Sequence, residues 1–336
     1  MGRSMKNVRI AIIGSGFGGL GTAIRLKQEF IEDFVVLERA EDVGGVWRDN
    51  NYPGCTCDVE SHLYSFSFVP NPAWTRKFSP QTEIWDYLRR CAKDYDLLPH
   101  IRFGHEVHEA VWESGEQLWR IETSKGTIMS SVLVAAAGSL SAPAIPRLKG
   151  LETFKGKAFH SARWEHEFDL SARRVAVVGT GASAIQFVPA IQPKVSQLYV
   201  FQRTAPWIVP RRDRPLTSRE RQLFRRFPLA QRLMRAGIYW PRELFGLAFR
   251  HPWVMRPFKH LALHHLRRSV PDPGLRAKLT PDYTLGCKRI LISNDYLPSL
   301  TRSNVELVTA GIAEVREQSI VTTDGIERVV DAIIFG

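Results

Sequence analysis

Two stretches, VRIAIIGSGFGGLGTAIRLKQ near the start and RRVAVVGTGASAIQFVPAI near the middle, share one plan. Each has an apolar run, then a glycine turn, then an amphipathic segment of good helix formers. A further apolar run follows each, FVVLER in the first and QLYVFQR in the second. Strand, helix, strand in that order brings the second strand back parallel to the first. A duplicated beginning of this kind reads as an α/β fold of two related nucleotide-binding units in tandem. The two halves also close alike, on SVLVAAAG and on RVVDAIIFG.

The glycines assign a task to each turn. In the first, Gly14 permits the tight turn, Gly16 lets backbone approach a pyrophosphate, and Gly19 lets helix and strand pack closely. Glu38 ends the next strand, where an acid accepts hydrogen bonds from a ribose. In the second turn the corresponding residues are Gly179, Gly181 and Ala184, and the next strand ends in FQRT, placing Arg203 where an acid would otherwise stand. A cation there suits a 2'-phosphate, hence NADP. The competing readings are a glycine turn of some other α/β domain and a surface arginine after a strand. The expected architecture is two tandem Rossmann-like dinucleotide-binding domains. FAD is expected on 1–150 and NADPH on 151–204 together with 285–336, with a helical, arginine-rich insertion at 205–284.

Of 336 residues 44% are hydrophobic, enough for a sizeable core. The net charge of +12 is concentrated in that insertion, where RERQLFRRF and LHHLRRS crowd arginines together. No nucleic-acid-binding signature accompanies the charge, so no such partner is expected. The stretch RELFGLAFRHPWVMRPFKHLALHHLRRS is amphipathic; it reads either as a packed helix pair with a solvated basic face or as a peripheral membrane contact. No run is long enough to span a bilayer, and no leader pattern precedes the first strand. Cys55, Cys57, Cys91 and Cys287 show neither zinc spacing nor a disulfide framework, so no metal is expected, and reduced thiols point to the cytoplasm.

Between the two turns lies FKGKAFHSARW. Its Phe154, Gly156, His160 and Trp164 form the pattern F-x-G-x-x-x-H-x-x-x-W. With the flanking dinucleotide sites, this resembles the fingerprint of Baeyer-Villiger monooxygenases. GGVWRDNNYPGCTCDVESHLYSFSF is similar to that family's flavin-proximal segment, which implies a cofactor contact for Trp47 and a place beside the flavin for Asp58. GCKRILISNDYLPSL is similar to the segment carrying the active-site arginine, which implies that role for Arg289 and a 2'-phosphate contact for Lys288. The resemblance implies an NADPH-dependent flavoenzyme that inserts one oxygen atom of O2 beside the carbonyl of a ketone or aldehyde through a C4a-peroxyflavin. Phe154, Gly156, His160 and Trp164 are expected to position the domains rather than to move protons.

Two further readings stay open at the level of sequence. Related flavoproteins oxygenate nitrogen or sulfur, although their fingerprints usually lack the terminal Trp. Enzymes of the resembled family also continue past the strand corresponding to VVDAIIFG, so the first domain is expected to lack its return segment. The third reading is accordingly a truncated, inactive nucleotide-binding fragment. Ala137 stands before Gly138, where the family commonly has Thr or Ser.

Overall fold

The computed structural model describes residues 6–248 and 252–336. The N-terminal residues 1–5 and residues 249–251 of the amphipathic stretch lie outside the described residues. The chain divides into two compact units: residues 1–50, 66–71 and 81–142 form the first, and 51–65, 72–80 and 143–336 the second.

In the first unit, β1 (Lys6–Ile13) leads through a glycine turn into α1 (Phe17–Gln28) and then β2 (Phe34–Leu37). β2 reads FVVL and is buried throughout, as a strand covered on both faces must be. Two helices follow, α2 (Val46–Asp49) and α3 (Gln81–Asp94), then four strands: β3 (Ile101–Arg102), β4 (Val107–Glu113), β5 (Leu118–Thr123) and β6 (Gly126–Ala135). The sheet order is β3-β2-β1-β6-β5-β4. β1 pairs parallel with both β2 and β6, whereas β4, β5 and β6 form an antiparallel meander. SVLVAAAG thus returns along the first strand.

The second unit repeats the plan. β7 (Lys157–His160) precedes β8 (Arg174–Val178), a glycine turn, α4 (Ala184–Ile191) and β9 (Gln197–Phe201). β10 (Ile208–Val209) opens the insertion, which holds α5 (Ser218–Arg226), α6 (Pro228–Ala248), α7 (Arg256–Ser269) and α8 (Pro273–Lys278). After it come β11 (Leu291–Ile292), α9 (Tyr296–Ser299), β12 (Val305–Val308), a small antiparallel sheet of β13 (Ile312–Val315), β14 (Ser319–Thr322) and β15 (Glu327–Val329), and finally β16 (Ala332–Phe335). The main sheet runs β12-β9-β8-β16-β7, all parallel.

Its core joins Ala176, Phe201, Ile320, Ile333 and Phe335, with Phe154 packed against them. Among the described residues no helix is long and apolar enough to cross a membrane.

Candidate functional site

The first glycine turn is shaped by steric necessity. Gly14 has φ +94°, and a Cβ there would stand 2.8 Å from the Ala136 carbonyl oxygen at the end of β6. A Cβ on Gly19 would collide with the Gly14 carbonyl, so α1 can lie this close only with glycine at that position. Gly16 caps α1 without a side chain and faces the Gly45 backbone, leaving no bulk over the N-terminal turn of the helix. That end of a helix carries partial positive charge and suits an anion.

Glu38 lies beside the turn and is only 4% exposed. One carboxylate oxygen accepts from the Ser15 amide at 2.9 Å and the Ser15 hydroxyl at 2.6 Å; the other accepts from the Ala40 amide at 3.0 Å and Arg48 at 3.2 Å. Burial alone would raise its pKa, but these donors outweigh it and hold the carboxyl below its ordinary value. Trp47 sits half-buried on α2, and its carbonyl accepts from Gln81.

The second turn has the same construction. Gly179 has φ +116°, and a Cβ on it would collide with the Gly336 carbonyl just past β16, the counterpart of Ala136. Gly181 lies next to that carbonyl at greater distance, and Ala184 is fully buried as the first residue of α4. Arg203 follows β9 with its side chain exposed, and no carboxylate lies within salt-bridge distance of it among the described residues.

The fingerprint residues fasten β7 to the second sheet. Gly156 leaves no room for a side chain between the Asp331 carbonyl and the Phe154 ring. His160 pairs with Phe335, and its Nδ1 accepts from the Ala162 amide at 3.0 Å, which puts the proton of the neutral ring on Nε2. Burial pushes its pKa down, so the neutral form is favoured. Trp164 packs on Phe159 and on Phe187 of α4, with ring centres 5.3 and 5.4 Å apart.

Asp58 and Arg289, far apart in sequence, meet in the second unit as a hydrogen-bonded ion pair. Both line a cavity of about 1080 Å³ that Lys288 also borders. Its wall carries five cations, Lys77, Arg212, Arg242, Lys288 and Arg289, against the carboxylates of Asp58 and Glu60. The charged lining is therefore electropositive, and Val209, Ile238, Phe258, Ile290 and Ile292 are among its apolar residues. Lys288 also lies over the Tyr283 ring, 4.7 Å from its centre.

Two residues that sequence reasoning passed over hold Asp58 in place. Gln186, on α4, accepts from the Tyr52 hydroxyl at 3.1 Å and the Thr56 amide at 3.2 Å, and donates to the Thr56 carbonyl at 3.0 Å. Gly54 brings the backbone against the same helix, since a Cβ there would stand 2.8 Å from the Gln186 carbonyl. Arg211 donates to the Thr56 hydroxyl at 2.9 Å and the Cys57 carbonyl at 3.3 Å, with its guanidinium over the Phe78 ring. Burial lowers the Arg211 pKa. In sequence Gln186 ends GTGASAIQ and Arg211 sits in a run of arginines, so only the position of Gln186 beside a glycine turn could have drawn notice. The neighbouring thiols are inert: burial pushes Cys55 up to about 11 and Cys57 up to about 12.

Known proteins resemble the chain over most of its length. The family model of flavin-binding monooxygenase-like proteins matches residues 7–234. A Baeyer-Villiger monooxygenase of Streptomyces coelicolor is 53% identical over 332 residues, and one of Pseudomonas aeruginosa is 50% identical over 334. Each alignment covers 98% of this chain, but 64% and 63% of the respective relative, so the chain spans just under two thirds of their length. Among solved structures, oxidized steroid monooxygenase bound to NADP superposes with a TM-score of 0.88 at 32% identity, covering 98% of this chain and 71% of that one. The open form of cyclohexanone monooxygenase gives 0.86 at 28%, covering 99% and 73%. The chain belongs to the flavin-binding monooxygenase-like family.

Proposed function

We propose that the chain carries the cofactor-handling part of an FAD- and NADPH-dependent monooxygenase that converts a ketone or aldehyde, O2, NADPH and a proton into an ester or lactone, water and NADP+. The observation that carries this reading is the Asp58–Arg289 pair on the wall of an electropositive cavity, in a chain with two dinucleotide turns. The residues fit the groups they would hold. At the first turn Gly14 and Gly19 let the backbone and α1 close up without side-chain clashes, and Gly16 leaves the α1 terminus open for a pyrophosphate. Glu38 already accepts four hydrogen bonds, so a ribose hydroxyl would replace Arg48 or the Ser15 hydroxyl as donor. Arg203 and Lys288 offer exposed charge for a 2'-phosphate.

FAD, when bound and reduced by NADPH, would supply the activation of O2, from which the transferred oxygen atom comes. The chain's own part is electrostatic. Arg289 offers a guanidinium to negative charge developing on the substrate carbonyl oxygen, and Asp58 orients that guanidinium without neutralising its remaining donors. Gln186 and Arg211 keep the Asp58 loop from drifting, since a misplaced charge loses most of its effect. His160, neutral and committed through Nδ1 to a backbone amide, positions β7 and takes no part in proton transfer.

The test is the visible spectrum of the chain purified with FAD, before and after anaerobic NADPH, followed by product analysis in air. Retained yellow colour that bleaches with NADPH, and ester formed from a ketone, are expected. Arg289→Ala should cut ester formation about 100-fold to 1000-fold and spare the bleaching. A protein that emerges colourless, or that oxidises a thioether and yields ester from no ketone, overturns the assignment.

A further inference from the structure

We infer that the outer face of the helical insertion in the second unit is a docking surface for an anionic lipid bilayer. Helix α6 is held to the protein along one side. Arg235 donates to the carbonyls of His62 at 2.8 Å and Leu63 at 3.0 Å, Gln231 is buried, and Arg242 pairs with Glu60. The opposite side carries Leu229, Leu233, Trp240 and Leu244, spaced four, seven and four residues apart, which places them in one stripe at helical periodicity. They are 66%, 64%, 63% and 66% exposed. A stripe of large apolar side chains turned to water is not a property of scattered surface residues; it marks a surface that some partner covers.

Charge identifies the partner. From Ser218 to Ser269 the chain has twelve Lys and Arg against two Glu, so most of the molecule's +12 resides in this one segment. Arg225, Arg226 and Arg232 are exposed around the start of the stripe, and Arg256, Lys259, Arg267 and Arg268 are exposed on α7. Among the described residues no carboxylate lies within salt-bridge distance of any of these seven. A protein interface would bring carboxylates to some of the cations and would tend to deplete exposed charge at its centre. Leucines and a tryptophan on one face with unpaired arginines at the margin instead match a helix lying in the headgroup region, where arginine meets lipid phosphate and the indole sits at the interface. No described helix can span the bilayer, so the contact is peripheral and salt-sensitive. The inference stands apart from the oxygenase reading, because none of its residues belongs to the dinucleotide turns or to the Asp58–Arg289 pair.

The experiment is vesicle co-sedimentation of the full chain with phosphatidylcholine alone and with equal parts phosphatidylcholine and phosphatidylglycerol, at low and high salt. Two variants accompany it, L229S/L233S/W240S and R225E/R226E/R232E, each checked for unchanged circular dichroism, with light scattering for mass. Sedimentation with the anionic vesicles only, lost at high salt and reduced at least about tenfold in both variants, is expected. Sedimentation unaffected by the arginine changes overturns the inference. So does failure to sediment together with a dimer mass that the stripe variant reduces to a monomer, because a second copy would then be the partner. Failure to sediment as a monomer overturns it equally.

Discussion

At the scale of single residues, the most informative side chain is Glu38. A carboxylate buried to this degree survives as an anion only because four donors converge on it. Its pKa is depressed in the folded protein relative to the unfolded chain. The stability it contributes is therefore complete above the ordinary carboxylate range and is lost as pH falls through the lower folded value. Glu38→Gln should lower stability at neutral pH by about 1–3 kcal/mol, with the gap to the parent protein narrowing in acid. Urea titrations of both proteins from neutral pH downward check this; a constant gap would mean that Glu38 carries no linked charge. Sequence position alone marked Glu38, since the acid stands at the end of the second strand. The Ser15, Ala40 and Arg48 donors emerge only when the turn closes.

At the scale of elements, α4 does two things. Its N-terminal turn is the second glycine turn, and its flank holds the segment from Tyr52 to Thr56 through three Gln186 hydrogen bonds. Both jobs lie within one helix of eight residues, so the loop bearing Asp58 and the dinucleotide turn share a support. Gln186→Ala leaves the Thr56 amide and carbonyl and the Tyr52 hydroxyl without that partner, at about 1–3 kcal/mol for each buried group left unsatisfied. Hydrogen exchange at residues 52–58 should quicken by about tenfold to 100-fold while β8 and β16 keep their protection. Equal acceleration across the sheet would instead mean that Gln186 supports the whole unit. The helix itself was legible, because its apolar residues follow helical spacing after a glycine turn. The role of Gln186 was not, because it depends on a loop more than a hundred residues away in sequence.

At the scale of the whole molecule, two units each carry their own glycine turn, and their ligands can be told apart by thermal stability. A ligand at about a hundred times its Kd adds about 2.7 kcal/mol to the unit that binds it. NADP+ should therefore raise the melting temperature more than NAD+ at equal concentration, and Arg203→Ala should shrink that difference while leaving the effect of FAD unchanged. Equal shifts with both nucleotides in the parent protein would remove Arg203 from 2'-phosphate recognition. The chain spans just under two thirds of the Baeyer-Villiger relatives it matches, so these binding measurements come before any assay of turnover.

The sequence by itself determined the repeated strand, glycine turn and helix and the family resemblance, because each rests on local chemistry; that β6 pairs with β1 and β16 with β8 was decided by the fold. Glycine alone fits at φ +94° and +116° against a neighbouring carbonyl, and buried parallel strands such as FVVL and AIIF must be apolar on both faces. Only the tertiary structure decided that residues 51–65 and 72–80 pack with the second unit, that the half-buried Arg211 bonds to them, and that the apolar stripe of α6 faces outward. A guanidinium stacked over Phe78 and one bathed in water have the same neighbours in sequence. An amphipathic helix likewise looks the same whichever face it buries, and the choice falls to Arg235 and Arg242, whose partners lie at Glu60 to Leu63.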